Sequence, residues 1–206
     1  GYSVATGDIN GDGIEDMIIG AYQSNKGIYG TAGRVYVWYG ASGEGIYTLN
    51  GSEPNLTFEN LQDANSGFGQ SVASGDVDGD GIEDVIAGAL WGTKGANTMA
   101  GRVYAWYGTN GTGIDSLNGS EPNLTFENMP DADSQLGVSV GSGDINGDGI
   151  EEIIAGANWA YKGDSSSAGR VYVWMAGSPT VTLESPTDNV YNSTTNVIDF
   201  TYNVTD

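Results

Sequence analysis

Asp76-Val77-Asp78-Gly79-Asp80-Gly81-Ile82-Glu83-Asp84 decides how this chain folds, because its pattern occurs three times. It returns as Asp8-Ile9-Asn10-Gly11-Asp12-Gly13-Ile14-Glu15-Asp16 and as Asp144-Ile145-Asn146-Gly147-Asp148-Gly149-Ile150-Glu151-Glu152, 68 residues to either side. A fixed period of this length marks a tandem array of structural units. Other segments keep the same spacing: Gly33-Arg34-Val35-Tyr36 recurs at Gly101 and Gly169, and the run from Asn50 to Asn55 recurs from Asn118 to Asn123. All six basic residues fall at two positions of the unit, Lys26, Lys94 and Lys162 at one and Arg34, Arg102 and Arg170 at the other. A cation kept at one place in every unit of so acidic a chain is expected to meet a carboxylate or carbonyl of its own or the adjacent unit.

Outward from the nonapeptide, strand signals are short and punctuated by glycine, and helical periodicity is nowhere sustained. In the middle unit the pattern predicts strands at 68–75, 84–89 and 102–107 and around 124–127. Arg102-Val103-Tyr104-Ala105-Trp106-Tyr107 carries apolar or aromatic groups on both alternating faces, so its sheet must be covered on each side. Four-stranded sheets stacked face to face around an axis meet that demand. The expected fold is all-β, three tandem propeller-type blades of period 68 with acidic loops, followed by a C-terminal strand segment. Trp38, Trp106 and Trp174, with the small residues Ser71, Ala73 and Ser74, are expected to fill the space between blades.

The acids of the nonapeptide fall at positions one, three, five and nine, with glycines at four and six. Glycine lets the backbone turn sharply there, so alternate side chains point at one cation while the carbonyl at position seven adds an oxygen. The expected ligands are Asp8, Asn10, Asp12, Asp16 and the Ile14 carbonyl; Asp76, Asp78, Asp80, Asp84 and the Ile82 carbonyl; and Asp144, Asn146, Asp148, Glu152 and the Ile150 carbonyl. Hard oxygen donors in a flexible loop favour Ca2+ over Mg2+, and the chain has neither His nor Cys to hold a softer metal. Met17-Ile18-Ile19 and Val85-Ile86 read as strands, which separates these loops from the helix-flanked EF-hand. The middle loop has four side-chain carboxylates where its neighbours have three, so charge count ranks it tightest. Three solvated acidic turns without metal are the bland alternative; triple recurrence with both glycines kept argues against it.

Composition narrows the function further. Six Lys plus Arg against 27 Asp plus Glu give a formal charge of -21, which repels nucleic acid. No apolar run approaches the ~20 residues that span a bilayer. Without Cys or His, disulfides, thiolate chemistry and imidazole bases are absent.

With Phe68-Gly69 opening the unit, Asp76 to Gly81 in the loop and Gly88-Ala89 closing the next strand, residues 1 to about 177 resemble the FG-GAP repeats of integrin alpha-chain propellers. Leu136-Gly137 replaces Phe-Gly in the third unit, and no proline follows Gly20-Ala21, Gly88-Ala89 or Gly156-Ala157. The resemblance implies an ion clamping the turn between the first two strands, and extracellular, often adhesive, work. Integrin-like ligand recognition does not carry over, since it needs a seven-bladed disc and a partner subunit.

From Ser178 prolines and Ser, Thr and Asn clusters replace the glycine-rich units, so residues 178–206 form a separate extended segment resembling the opening strands of an immunoglobulin-like module of prokaryotic surface proteins. After Met175 the sequence shows no direct counterpart of Leu56-Thr57-Phe58-Glu59. Ile198, Phe200, Tyr202 and Val204 alternate with polar residues as a half-buried strand does. The segment either docks on a blade edge or neighbouring subunit, or begins a separate domain. Asn-x-Ser/Thr sequons at Asn50, Asn55, Asn110, Asn118, Asn123, Asn192 and Asn203 number seven among 17 Asn, where the Ser and Thr content predicts roughly 2.8 by chance, which points to a glycosylated surface protein.

The sequence therefore predicts an extracellular, calcium-binding structural or adhesion module, self-associating into a fibre or surface layer through unfinished blade edges and the C-terminal strand, or binding other surface proteins and glycans. A carbohydrate- or receptor-binding propeller fragment is the alternative, with Trp91 and Trp159 as aromatic candidates. An enzyme using paired carboxylates is disfavoured: 13 of the 27 acids sit in the loops, and Glu59, Asp63, Glu127 and Asp131 follow the repeat, unlike one asymmetric site.

Overall fold

A computed structural model describes residues 1–25, 30–43, 53–59, 65–93, 99–110, 121–127, 133–161 and 168–175, with the backbone alone at 197–200. The described residues are all strand, turn and loop, in three four-stranded antiparallel sheets. The first sheet is β1 (Ser3–Gly7), β2 (Asp16–Gly20), β3 (Arg34–Trp38) and β4 (Leu56–Glu59), in chain order. The second is β5 (Phe68–Gly75), β6 (Asp84–Ala89), β7 (Arg102–Trp106) and β8 (Leu124–Glu127), and the third β9 (Leu136–Gly143), β10 (Glu152–Ala157), β11 (Arg170–Trp174) and β12 (Val197–Phe200). The observed bounds match the sequence reading of the middle unit except that β7 stops one residue earlier, at Trp106.

Sheets stack because every blade is apolar on both faces. One buried cluster joins Ile18, Val35 and Phe58 of the first blade to Val85, Tyr104 and Trp106 of the second. A second cluster takes the opposite face of the same strands, Ile86, Val103 and Ala105, and packs it on Ile153, Ala155 and Tyr172 of the third. Period-two alternation thus sends neighbouring residues of β6 and β7 into different cores. Rings are in contact throughout, Phe58 lying 4.7 Å from Trp106 and Phe126 lying 4.5 Å from Trp174.

The glycine after Phe68 has a local cause. The β5–β6 register shifts between Phe68 and Val72, and Gly69 takes φ 81° at this bulge. Phe68 is thereby laid beside Gly33 of the preceding blade as a parallel bridge, with its N–H donating to the Ala32 carbonyl at 3.3 Å. Leu136 does the same against Gly101, its N–H reaching the Ala100 carbonyl at 3.1 Å. Leucine in place of phenylalanine therefore keeps the contact, because an apolar side chain and a backbone donor are what it requires.

Two of the repeat cations find carboxylates inside their own blade: Arg34 Nε lies 2.6 Å from Glu59 Oε1, and Arg102 Nη2 lies 2.8 Å from Glu127 Oε1. Each pair ties β3 to β4 or β7 to β8 at opposed positions. Lys26, Lys94 and Lys162 lie outside the described residues.

The fourth strand of the third blade comes from the C-terminal segment. β12 pairs with β11 so that Val171 faces Phe200 and Val173 faces Ile198. In the first blade Val35 faces Phe58 and Val37 faces Leu56, so the register is the same one, reached after a connection only a few residues longer.

Candidate metal centre

The acidic nonapeptides connect β1 to β2, β5 to β6 and β9 to β10, and glycines shape each turn. Gly79 and Gly81 take φ 81° and 86°, with matching values at the paired glycines of the other loops. With the backbone curled, the position-one acid collects amides. Asp76 Oδ1 accepts from Gly79 N–H (2.7 Å) and Asp80 N–H (3.1 Å), while Oδ2 accepts from Gly81 N–H (2.8 Å). Asp8 accepts from Asp12 and Gly13, and Asp144 from Gly147, Asp148 and Gly149. The position-three side chains Asn10, Asp78 and Asn146 each accept from the amide two residues on. The position-five acids Asp12, Asp80 and Asp148 accept from Ile14, Ile82 and Ile150 at 2.8–2.9 Å.

Position nine is buried. Asp16, Asp84 and Glu152 have no exposed surface. Asp84 Oδ2 accepts from Val77 N–H and its Oδ1 from Gly108 N–H, both at 2.8 Å. Asp16 repeats this with Ile9 (3.1 Å) and Gly40 (2.8 Å). Glu152, longer by one methylene, still reaches Ile145 N–H at 2.7 Å and Asn146 Nδ2 at 2.9 Å. The amides of Gly40 and Gly108 are partners that the sequence reading missed. Their signal was available as Tyr39-Gly40 and Tyr107-Gly108 at the repeat spacing.

Burial of these acids is electrostatically costly. It pushes the Asp84 carboxyl up to about 7 and the Asp16 carboxyl up to about 6, against the lowering effect of their backbone donors. Asp78 is raised by burial and by the charges of Asp80 and Asp76. A divalent cation reverses that cost. Carboxylate oxygens of Asp76, Asp78 and Asp84 lie within 4.8 Å of one another. Ligands of one calcium ion, at about 2.3–2.6 Å from the metal, span that distance. The donor set is oxygen throughout, which fits calcium and offers nothing to a thiophilic metal. Each carboxylate also has lone-pair capacity beyond its amide bonds.

Of the sequons, Asn55, Asn110 and Asn123 are exposed, and Asn50, Asn118, Asn192 and Asn203 lie outside the described residues. Asn55 and Asn123 use Oδ1 to accept from Tyr39 N–H (2.9 Å) and Tyr107 N–H (3.0 Å), which leaves Nδ2 as the remaining polar group. Trp159 is 48% exposed, whereas Trp91 is half-buried with its ring 6.0 Å from Tyr22.

Stacked four-stranded blades with an acidic turn between their first two strands define a propeller-type repeat protein. Residues 1–38, 68–106 and 136–174, more than half of the chain, match the FG-GAP repeat, so the chain belongs to the FG-GAP repeat family. It is 32% identical over 166 residues to integrin alpha-5 of Xenopus laevis, covering 76% of this chain and 14% of that protein. Against integrin alpha-PS2 of Drosophila melanogaster identity is 32% over 197 residues, covering 91% of this chain and 12% of that protein. Against the phosphatidylinositol-glycan-specific phospholipase D of Homo sapiens it is 28% over 180 residues, or 86% and 20%. The chain thus spans a fifth or less of the length of these relatives. Among the described residues no helix is long and apolar enough to cross a membrane.

Proposed function

We propose that the chain is a calcium-clamped adhesion or ligand-binding module that works outside the cell and associates with further copies of itself or with other surface proteins and glycans. Each of the three loops holds one Ca2+, through the side chains at positions one, three, five and nine and the isoleucine carbonyl at position seven. The observation that carries this reading is the middle loop, where three carboxylates, one of them fully buried, converge from different points of the turn. The bound ion supplies positive charge that offsets their mutual repulsion. The chain's own amides do the rest: Gly108 and Val77 hold Asp84 so that β5, β6 and the exit of β7 meet at one point. A module of this kind needs no catalysis, and outside the loops Glu59 and Glu127 are engaged by arginines. The adhesive reading draws on the two integrin alpha relatives. The name of the phospholipase D relative brings no activity here, since the match covers 20% of that protein. Residues 178–206 act as a docking segment that completes the third blade, a reading supported by the shared register of β12 and β4.

Calorimetric titration of the metal-stripped chain tests the proposal. Three equivalents of Ca2+ should bind, with Mg2+ competing weakly. The absence of calcium binding at millimolar concentrations would refute it.

A further inference from the structure

The acidic loops of neighbouring blades are bonded to one another through their backbones. Position eight is a glutamate in every loop and lies outside the expected ligand set. In the second and third loops its amide reaches back into the loop before: Glu83 N–H donates to the Asp8 carbonyl at 3.2 Å, and Glu151 N–H to the Asp76 carbonyl at 2.9 Å. These acceptors are the position-one residues of the neighbouring site. Each passes the bond on, because the amide that follows the accepting carbonyl is itself a donor. Ile9 N–H donates to Asp16 Oδ2 at 3.1 Å, and Val77 N–H to Asp84 Oδ2 at 2.8 Å. Both chains of bonds therefore end on the buried position-nine acid.

They begin on another expected ligand. Glu83 N–H and the Ile82 carbonyl belong to one peptide group, as do Glu151 N–H and the Ile150 carbonyl. Two peptide groups in series thus connect position seven of one site with position nine of the site before it, and they do so at both joints. A second thread runs beside the first joint: Gly108 N–H holds Asp84 Oδ1 at 2.8 Å, and the next amide, Thr109 N–H, donates to the Ile9 carbonyl at 3.2 Å. Glycine lets the loops come this close. A Cβ at Gly7 would run into the Glu83 carboxylate and one at Gly75 into that of Glu151, and neither glycine has a positive φ that would otherwise call for it. Ile9 and Val77, whose amides carry the second bond of each chain, are buried, at 0% and 4% exposure. Away from water, successive hydrogen bonds polarise one another.

We propose that these paired peptides couple the calcium sites, so that filling one loop favours filling the loop before it and, by reciprocity, the reverse. The inference rests on the calcium reading above and adds regulation to it. A cation on the Ile82 carbonyl draws electron density from that peptide and makes Glu83 N–H a stronger donor. The same step through Asp8 strengthens Ile9 N–H toward Asp16, which is thereby oriented before its own ion arrives. Repulsion between the ions acts the other way. It is screened by salt, with a Debye length of about 8 Å at 0.15 M and about 3 Å at 1 M, whereas the hydrogen-bonded peptides are not. The array therefore responds over a narrower range of calcium than separate loops would.

Calcium titration of the full chain, followed by amide NMR at physiological and at molar salt, tests this. The position-six amides of Gly13, Gly81 and Gly149, each bonded to the position-one acid of its own loop, report occupancy site by site. In the wild type all three should move together, with a Hill coefficient above unity that survives molar salt. Asp80→Ala, with Gly81 stationary as the sign of an empty middle loop, should weaken the first and third sites by about fivefold or more, although it touches no ligand of either. In the same variant the Val77 amide proton should still shift downfield in step with Gly149, because the Ile150–Glu151 peptide acts on it without an ion in its own loop. Glu83→Pro, which removes the donor, should uncouple the first site from the second; if that variant does not fold, the Val77 shift decides alone. Unchanged affinity of the first and third sites in Asp80→Ala, or a stationary Val77 proton, overturns the coupling and leaves the calcium sites standing. No transition at millimolar calcium overturns the calcium reading and the coupling with it.

Discussion

The second and third blades have nearly the same sequence and very different surroundings. All six residues of β6 and all five of β7 are buried, whereas β10 and β11 mix buried with half-buried positions. Ile86 and Val103 are fully covered, and their counterparts Ile154 and Val171 are half-exposed. The difference teaches that a blade of this kind does not make its own core. Its strands carry two apolar faces, and burial is supplied by whatever stands on each side.

Truncating the middle of the stack should break that comparison most severely. Trp106 is buried among Phe58, Phe68 and Tyr104, so Trp106→Ala is expected to cost about 3–5 kcal/mol. Trp38→Ala, on the half-open face of the first blade, should cost clearly less. Urea denaturation of the two variants side by side measures the gap; equal losses would contradict the two-core description. Next in size is a single methyl group. Gly88→Ala drives a Cβ toward the Gly137 carbonyl and should destabilise by about 1–3 kcal/mol, while Gly156→Ala should fall within about 0.5 kcal/mol of wild type by the same assay.

How far these contrasts could be foreseen depends on what repeats. Strand bounds, the four-stranded unit and the place of the acidic turns between the first two strands of each sheet were legible, because each depends on local turn chemistry and alternation. The arginine partners were half legible: the constancy of Arg34 and Arg102 demanded a carboxylate, and Glu59 and Glu127 lay at the same spacing. Which position-two residue is covered was not legible, since Ile9, Val77 and Ile145 read alike and only the neighbouring blade distinguishes them. The origin of β12 was hidden for another reason. A fourth strand needs a register and two apolar positions, which Ile198 and Phe200 occupy, but the long connection after Met175 carries no repeat signal.

The smallest effect concerns pH. In the metal-free chain the folded-state carboxyls of Asp84 and Asp16 sit near about 7 and about 6, above the ordinary 3.8. Between 3.8 and those values the folded state holds more protons than the unfolded one. Stability of the metal-free chain should therefore rise as pH falls from 8 toward 5, and the benefit should disappear as pH climbs back through about 7. With calcium present the trend should invert, because protons then compete with the ion for the same oxygens. Melting curves across that range in chelator and in calcium check both signs; parallel curves would count against the buried acids as the titrating groups.

The central claim is that three divalent ions hold the turns that let the blades stack. Thermal melting in calcium and then in excess chelator at pH 7.5 tests it most directly. At tenfold excess over the dissociation constant three sites contribute roughly 4 kcal/mol, so chelation should lower the melting temperature by on the order of 10 °C, with calcium but not sodium restoring it. A melting temperature unmoved by complete chelation would contradict the account.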